Sequence, residues 1–538
     1  MRRNRHLSVL ILKKEKKVNS LKVIRAIVFV LLWVGQIAAE IWAGLNIQRL
    51  DMVPKRLFIY GVVVLLLLWI FEGLLFFYGN GQEKGSKKGS ACRLASVFLI
   101  ALTVLACIYS FFAVDKVQET VRRVTEGQTV TRTYAVYVRS DDPAEAIEDA
   151  ENYKFGFTSS YDKTNTAAAS RLLRESFSHR IRMIDHDSVQ EMVDELFDES
   201  VDAILLNEAY VPILQELEGY ENFSEDTRVI HRFVFEERSE SDVPEQKEKA
   251  KPGKLPTRNL QPVSDITTDP FVVYLSGSDT RSQSLETSNS DVNILVIVNP
   301  QSKQILLLNT PRDYYIPNPA GGGELDKLTH CGMYGIDNSI DALSDLYDVV
   351  VNYYAQINFT GFQTLIDAVG GVTVESEIAF TTHEDGIFIQ QGVNKLNGEE
   401  ALSFVRERYA FASGDNQRGL NQMKVLSAVI EKLSAGRIIT HYNSILSSLQ
   451  GMFLTSVSGD EISSLVKMQL DDGAEWNIKS FAVTGNTGND ITYSIPRVPV
   501  SVMYQNETLI KHAADLVDRV IDGETLMDED VMLETPAP

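Results

Sequence analysis

The stretch "VNILVIVN", residues 292–299, decides the fold of the C-terminal half of this 538-residue chain. It is short, apolar and rich in β-branched residues, which is typical of a strand buried inside a sheet. Similar apolar runs are "FVVYLSG" (271–277), "KQILLLNT" (303–310) and "VVVNYYAQIN" (349–358). Together these runs predict an α/β domain with a central mixed sheet flanked by helices, which we place at 271–522.

Helices are predicted after these strands. "FTGFQTLIDAVGG" (359–371) ends in two glycines, a common helix stop, and a longer helix is expected to begin near Asp415. Its predicted core-facing stripe follows the spacing of an amphipathic helix and consists of Leu426, Val429, Ile430 and Leu433. The run "EWNIKSFAV" (475–483) and a last helix from about 506 to 521 complete the domain, before an acidic tail at 523–538.

Three apolar runs near the N-terminus, at 23–45, 57–78 and 94–114, are each long enough to cross about 30 Å of hydrocarbon. Glu40 and Glu72 interrupt the first two runs. Because each lies within two turns of a span end, we interpret them as ordinary interfacial residues rather than functional ones. Residues 23–114 are therefore expected to form three transmembrane helices.

Basic residues set the predicted orientation in the membrane. The segment 1–22 contains eight of them, and the loop before the third span adds Lys84, Lys87, Lys88 and Arg93, whereas the other loop has only three. The positive-inside rule places the N-terminus in the cytoplasm and everything after the third span outside. The net charge of -22 lies mostly in that outer part, which argues against nucleic-acid binding. We predict a multi-pass protein of the cell membrane.

Two further segments precede the C-terminal domain. Residues 115–235 alternate strand-like and helix-like runs, with Ser188 as a helix N-cap, and predict a small α/β domain with a largely parallel sheet. No catalytic constellation is visible there, so we interpret it as an accessory domain. Residues 236–270 are charged, rich in proline and poor in apolar residues, which predicts a linker.

Charged residues follow or open successive predicted strands of the C-terminal domain. They are Asp279, Arg281, Asp291, Arg312 and Asp313, and "RERYAFASGDNQRGLNQ" (406–422) adds Arg406, Arg408, Asp415, Arg418 and Gln422. If this segment is extended, Arg406 and Arg408 point to the same side of it. Asp415, Arg418 and Gln422 would share one face of the following helix. Ordinary surface ion pairs would explain any one arginine. The whole set favours a buried diphosphate, because the arginine fork donates two parallel hydrogen bonds.

The pattern "SGSDTR…SDVNILVIVNP…ILLLNTPRDYYIP…DKLTH…YYAQINFTGFQTLIDAVGGVTV…LNGEEALSFVRERYAFASGDNQRGLNQ" resembles the LytR-CpsA-Psr family. Three spans before an accessory domain resemble its capsule-associated CpsA branch. The resemblance implies a phosphotransferase on the outer face of a Gram-positive membrane. Its donor would be a capsular polysaccharide, teichoic acid or similar glycopolymer on undecaprenyl pyrophosphate. The acceptor would be peptidoglycan, and the implied further partners are membrane lipid and other capsule or cell-wall assembly proteins.

The resemblance also implies roles for individual residues. Asp279 and Asp291 would hold Mg²⁺ (or Mn²⁺), and the pyrophosphate would be bound by Arg281, Arg312, Arg406, Arg408, Arg418 and Gln422. Asp415 would orient Arg408 or Arg418, or act as base for the acceptor hydroxyl. Asn289 stands where the family commonly has an arginine, so one pyrophosphate contact is missing or comes from another residue such as Arg281. Because family members are often labelled transcriptional attenuators, the alternative function is a membrane-bound regulator of envelope or capsule genes.

Overall fold

A computed structural model describes residues 2–82, 86–125, 129–238, 260–282, 284–411, 414–434, 445 and 447–532. The chain divides into two compact units, one formed by 1–121 with 460–473 and the other by 122–459 with 474–538. Most of the predicted linker lies outside the described residues, as do the last six residues of the acidic tail.

The first unit is made of long helices. They are α1 (Arg2–Arg49), α2 (Lys55–Gly81) and α3 (Lys87–Thr125), joined by a further helix at Gly459–Asp472. Each of the first three contains a stretch long and apolar enough to cross a membrane, at Lys22–Arg49, Lys55–Gly81 and Lys87–Arg123. Residues 2–22 of the predicted basic tail form the first part of α1.

The carboxylates of the first two spans are buried among these helices. Gln36 Nε2 donates to Glu40 Oε1 at 2.8 Å and to Glu72 Oε1 at 3.4 Å, and Ser96 Oγ donates to the backbone oxygen of Glu72 at 2.9 Å. Glu72 has no exposed surface in this unit. The interpretation of Glu40 and Glu72 as interfacial residues is therefore incomplete, because both take part in polar contacts between or within the helices.

The accessory domain contains a five-stranded sheet in the order β3-β2-β4-β1-β5. Its strands are β1 (Thr129–Arg139), β2 (Lys154–Phe157), β3 (Arg182–Asp185), β4 (Ala203–Asn207) and β5 (Thr227–Arg238). β2 is parallel to β3 and β4, but β1 is antiparallel to both β4 and β5. The expected largely parallel sheet is wrong, because the predicted strands β1 and β4 pair antiparallel and the unpredicted β5 adds a second antiparallel pair.

Short helices cover this sheet. They are α4 (Lys163–Glu175), α5 (Val189–Phe197), α6 (Val211–Gln215) and α7 (Phe223–Asp226), with 3₁₀ turns at Ile147–Ala150 and Glu208–Tyr210. Ser188 Oγ accepts from the Glu191 N–H at 3.1 Å, which confirms the predicted N-cap.

The accessory domain shares a hydrophobic core with the C-terminal domain. Ile204, Leu206 and Tyr210 belong to the same buried cluster as Met333 and Val502. At this junction Arg132 Nη1 donates to the backbone oxygen of Met333 at 3.1 Å, and the Tyr210 and Tyr334 hydroxyls lie 3.2 Å apart. Since a buried apolar side chain contributes about 1.5–3 kcal/mol, such a junction holds the two domains together.

The C-terminal domain is built on a six-stranded sheet in the order β16-β11-β6-β7-β8-β17. These strands are β6 (Phe271–Ser278), β7 (Val292–Asn299), β8 (Gln304–Asn309), β11 (Tyr353–Asn358), β16 (Phe453–Thr455) and β17 (Asn477–Ala482). β11 is parallel to β6, and β17 to β8, while the remaining pairs are antiparallel. The predicted central mixed sheet is confirmed.

Helices and small hairpins surround this sheet. These helices are α8 (Leu328–Cys331), α9 (Ile336–Tyr347), α10 (Phe359–Ala368), α11 (Gly398–Arg406), α12 (Asp415–Lys432), α14 (Glu507–Ile521) and α15 (Asp528–Val531). The helix Gly459–Asp472 of the first unit follows α12 in the sequence and is named α13. The outer strands are β9 (Tyr315–Pro317), β10 (Leu325–Lys327), β12 (Val372–Ser376), β13 (Phe380–Thr381), β14 (Phe388–Ile389), β15 (Gly392–Leu396), β18 (Gly485–Asp490) and β19 (Val500–Gln505). Two 3₁₀ turns lie at Pro319–Gly321 and Gly332–Tyr334.

The long helix α12 begins at the predicted residue but presents a different face to the core. Val429 of the predicted stripe is buried, whereas Leu426 and Ile430 are only half-buried. The buried face is shifted and includes Asn421 and Val425. The apolar spacing could not reveal this shift, because polar residues near the N-terminus of α12 are also turned inward.

Candidate active site

The strand pairing brings the predicted site residues to one edge of the central sheet. Gly277 at the end of β6 pairs with Val292 at the start of β7, and Asn309 at the end of β8 pairs with Ile294. Asp279, Asp291 and the turn after β8 must therefore meet at this edge. The end of β11 lies there too, because Asn358 pairs with Ser278.

Arg312 is the centre of the polar cluster. Its Nη1 donates to Asp291 Oδ1 at 3.0 Å, and its Nη2 donates to Glu216 Oε1 at 3.2 Å. Lys327 Nζ lies 3.2 Å from Asp313 Oδ1, and Thr329 Oγ1 donates to Asp291 Oδ1 at 3.4 Å. The Arg312 side chain is only 13% exposed and that of Lys327 only 6%. These are buried charges in a connected network and not surface ion pairs.

The carboxylates of the cluster differ strongly in acidity. Burial, and then the negative charge of Asp291, raises the pKa of Asp279 to about 6. Burial also raises the pKa of Asp291 and of Asp313, but the positive charges of neighbouring side chains lower it by more. Arg312 and Arg418 hold the pKa of Asp291 below its usual range, and Lys327 and Arg312 do the same for Asp313. Two carboxylates therefore stay ionised while Asp279 titrates near neutrality.

Helix α12 brings Arg418 to the same place. Arg418 Nη2 lies 2.6 Å from Asp415 Oδ1, so of the two arginines that Asp415 was expected to orient, the structure pairs it with Arg418. A Cβ on Gly419 would lie 2.4 Å from Asn309 Oδ1, closer than any real contact. The absence of a side chain at Gly419 thus allows α12 to approach the end of β8, which positions Arg418.

Arg406 reaches the cluster from another side. It is the last residue of α11, forms an ion pair with Glu384, and its guanidinium carbon lies 4.9 Å from the centre of the Phe359 ring. Its positive charge also opposes the rise in the pKa of Asp279. Within the described residues, its Nη1 is buried without a hydrogen-bond partner. One donor is therefore available for a ligand.

The remaining predicted site residues lie less centrally. Arg408 stacks on Tyr409, with its guanidinium carbon 4.7 Å from the ring centre. The condition under which Arg406 and Arg408 would point to one side, an extended segment, is not met, because Arg406 ends a helix and Arg408 lies outside any strand. Arg281 is exposed and Gln422 is half-buried. In the part of the chain that the structure describes, neither of these two donates a hydrogen bond to the clustered side chains.

Sequence reasoning missed three residues of the cluster, Lys327, Thr329 and Glu216. The first two lie in the quoted motif "DKLTH" (326–330), so a signal for them was present. Glu216 directly follows α6 of the accessory domain, about a hundred residues before Arg312, and no motif pointed to it. No catalytic constellation was recognised in the accessory domain, but the structure brings Glu216 of that domain into contact with Arg312. Asn289, by contrast, is buried, and its Oδ1 has no hydrogen-bond partner among the described residues.

A divalent cation is compatible with this site. Among the described residues, no group of three or more His, Cys, Asp or Glu side chains is arranged to hold a metal. However, Mg²⁺ in phosphate sites usually takes one or two carboxylates and completes its shell with water and phosphate oxygens. Asp279 and Asp291 meet this requirement, because the pairing of β6 with β7 brings the segments that carry them together, and the negative charge of Asp291 acts on Asp279. The donor set thus fits a hard cation.

The chain is similar in sequence to proteins of one known family. The sequence profile of the LytR_cpsA_psr family matches residues 233–508, slightly more than half of the chain. The chain is 33% identical over 199 residues to the Enterococcus faecalis "polyisoprenyl-teichoic acid--peptidoglycan teichoic acid transferase TagU", and 32% identical over 212 residues to the Bacillus cereus protein of the same name. These matches cover 37% and 39% of this chain, and 65% and 68% of the relatives.

A solved structure described as "TagT bound to LIIa-WTA" is 27% identical in sequence, with a TM-score of 0.40. The match covers 48% of this chain and 93% of the solved one. The family assignment rests on the sequence matches and not on this similarity. The sequence-based identification is confirmed: the chain belongs to the LytR-CpsA-Psr family.

Proposed function

We propose that this protein is a membrane-bound phosphotransferase that moves a glycopolymer from a polyprenyl-pyrophosphate carrier to peptidoglycan. The relatives named above are called teichoic acid transferases, and three of the residues predicted from the sequence, Asp291, Arg312 and Arg418, lie in one buried cluster here. The observation that carries the proposal is the network around Arg312, in which Arg312, Lys327 and Arg418 are held close to ionised carboxylates. Such a site is prepared for a multiply charged anion.

Arginine chemistry favours a phosphate over other anions. A guanidinium donates two parallel hydrogen bonds that match two oxygens of one phosphate group. During the reaction the acceptor hydroxyl attacks the phosphorus attached to the sugar, and the bond from that phosphorus to the bridging oxygen breaks. Polyprenyl phosphate leaves with the electron pair. Arg312 and Arg418 stabilise the charge that shifts between these oxygens, because they are already in place before the bond breaks.

The carboxylates have complementary roles. Asp415 orients Arg418 through the 2.6 Å contact, and it is also the sequence-based candidate for taking up the proton of the acceptor hydroxyl. Asp279 and Asp291 are the residues that would hold Mg²⁺ (or Mn²⁺). When bound, this cation supplies positive charge that neutralises the pyrophosphate oxygens.

We further propose that this chemistry takes place on the outer face of the membrane. The distribution of basic residues supports this orientation. A second support comes from the first compact unit, in which Arg56 Nε lies 2.8 Å from Asp471 Oδ1 and Lys467 forms an ion pair with Asp51. These pairs join α13 to the connection between α1 and α2 and to the first turn of α2. By the positive-inside rule this connection is extracytoplasmic, and the chain around α13 would be as well.

The direct test uses the full-length protein in detergent or vesicles, with a synthetic polyprenyl-pyrophosphate oligosaccharide and peptidoglycan. We expect release of polyprenyl phosphate that depends on both the protein and peptidoglycan. Arg312→Ala should abolish most of this release while the protein stays folded. If a folded Arg312→Ala protein releases polyprenyl phosphate at the wild-type rate, the proposed site is wrong.

A further inference from the structure

We infer that the accessory domain forms part of the donor site, and that Glu216 occupies the place on Arg312 that a phosphate oxygen of the donor takes. This inference rests on the proposed function and deepens it. It assigns to the accessory domain a role in the binding of the anionic donor, with Glu216 as a residue that controls access to Arg312.

The geometry of the Arg312 guanidinium supports the inference. Its Nη1 donates to Asp291, which directly precedes β7 at the same edge of the sheet as Arg312. Its other edge consists of Nε and Nη2, whose N–H groups point in parallel, as in bidentate binding of phosphate. Nε lies 3.9 Å from Asp313 Oδ1, too far for a hydrogen bond, and Nη2 donates to Glu216 Oε1 at 3.2 Å. Movement of Glu216 alone would therefore leave both of these N–H groups without a hydrogen-bond acceptor among the described residues, although Asp313 stays nearby.

Burial distinguishes Glu216 from the other carboxylates of Arg312. The Glu216 side chain is 49% exposed, whereas those of Asp291 and Asp313 are 16% and 21% exposed. Glu216 also approaches Lys327, whose Nζ lies 4.0 Å from its Oε2. A half-exposed carboxylate can turn into solvent at little cost, but a buried one cannot leave its cations. Glu216 is thus the displaceable anion of the network.

The backbone that carries Glu216 is fixed. Ile213, Leu214 and Leu217, on both sides of Glu216, belong to the core that the two domains share. Binding of the donor therefore requires only a change in the side chain of Glu216, and not an opening between the domains. The accessory domain places a negative charge at the entrance to Arg312, and a ligand must outcompete this charge to bind.

The test measures the affinity of the full-length protein for inorganic pyrophosphate, in buffer containing Mg²⁺, by calorimetry. Glu216→Gln keeps the shape of the side chain but removes its charge, so pyrophosphate should bind about three- to tenfold more tightly. Glu218→Gln is the matched control, because Glu218 is exposed and lies two residues away in the same acidic segment. This variant should bind as the wild type does.

Two further comparisons separate direct competition from other causes. In an Arg312→Lys protein, the effect of Glu216→Gln should shrink to less than about twofold, because the bidentate edge is gone. An unchanged or weaker affinity of Glu216→Gln, or an equal gain in Glu218→Gln, would overturn the inference. If neither the wild type nor Glu216→Gln binds pyrophosphate, the proposed function itself fails.

Discussion

Asp415 and Arg418 lie one turn apart on α12, and their carboxylate oxygen and guanidinium nitrogen approach to 2.6 Å although both side chains are less than one-fifth exposed. Isolated helix pairs at this spacing contribute only a few tenths of a kcal/mol. The pair therefore contributes little to the helix itself. The positive charge of Arg418 acts on both Asp291 and Asp313, and we propose that the pair presents this guanidinium to the ligand.

Replacing Arg418 should impair turnover more than folding. Arg418→Ala is expected to lower kcat by roughly 10²–10³-fold, the scale of losing one preorganised donor. Arg418→Lys keeps the charge but loses the planar fork, so it should also lower kcat clearly. The rate of polyprenyl phosphate release and the Tm of each variant provide the measurements. Arg519→Ala is the control, because Arg519 also forms ion pairs, with Glu524 and Asp530, but is not one of the candidate site residues. Normal turnover in Arg418→Ala would mean that the pair is only structural.

A side chain at Gly419 should displace the N-terminal part of α12. Alanine normally stabilises a helix by about 1 kcal/mol relative to glycine. At this position its Cβ would collide with Asn309, so we expect Gly419→Ala to lower both Tm and kcat. Gly61→Ala is the matched control, since no atom lies within 4 Å of a Cβ at that helical glycine. Equal tolerance of the two substitutions would show that the close approach is not required.

Asp279 should make the metal-free protein less stable as the pH rises. Its pKa is about 6 in the folded protein against an ordinary value of 3.8, so the folded state holds the proton more tightly than the unfolded state. Ionisation of Asp279 therefore destabilises the folded state, by roughly 3 kcal/mol once the pH exceeds 6. Below about pH 4 this penalty is absent.

The measurement compares Asp279→Asn with the wild type in chelator. The two Tm values should be similar at pH 4, and the variant should become the more stable protein between pH 4 and pH 6. The sign is opposite for Asp291, whose lowered pKa gives stability that is lost as the pH falls. A constant difference in Tm across this range would contradict the raised pKa of Asp279.

Removal of divalent cations should abolish transfer. With excess chelator, we expect turnover to fall at least tenfold and to return on addition of Mg²⁺ or Mn²⁺. Without the cation, the two adjacent carboxylates add negative charge beside the diphosphate, and its own charge is poorly neutralised. Asp291→Asn should not be rescued by either cation. Full activity in excess chelator would refute the metal assignment.

The sequence predicted the strands of the C-terminal sheet and most of the residues at its edge, because buried strands have continuous apolar runs and charged residues at their ends stand out. The conformation of Arg406 and Arg408 could not be predicted in this way, since a short polar segment fits a helix end as well as a strand. Glu216 was also inaccessible to sequence reasoning. Its contact with Arg312 depends on the shared core around Tyr210 and Met333, a long-range packing that leaves no local pattern.

The same core changes the expected effect of removing the accessory domain. From the sequence alone, deletion of residues 130–235 should leave the pyrophosphate chemistry intact. The structure predicts that this deletion exposes Met333, Ile495 and Val502 and lowers the stability of the remaining domain by several kcal/mol. Expression, solubility and Tm of the deletion protein would show this. A soluble deletion protein with the wild-type Tm would contradict the shared core.

In the proposed reaction, the phosphate attached to the sugar moves with the glycopolymer onto peptidoglycan. The most direct measurement uses a polyprenyl-pyrophosphate oligosaccharide carrying ³²P only in the phosphate next to the sugar, incubated with the full-length protein, Mg²⁺ and peptidoglycan. We predict that the label becomes bound to peptidoglycan through a phosphodiester, and that Arg312→Ala prevents this. Label that remains on the lipid, or is released as free phosphate while the sugar is transferred, would contradict the proposed reaction.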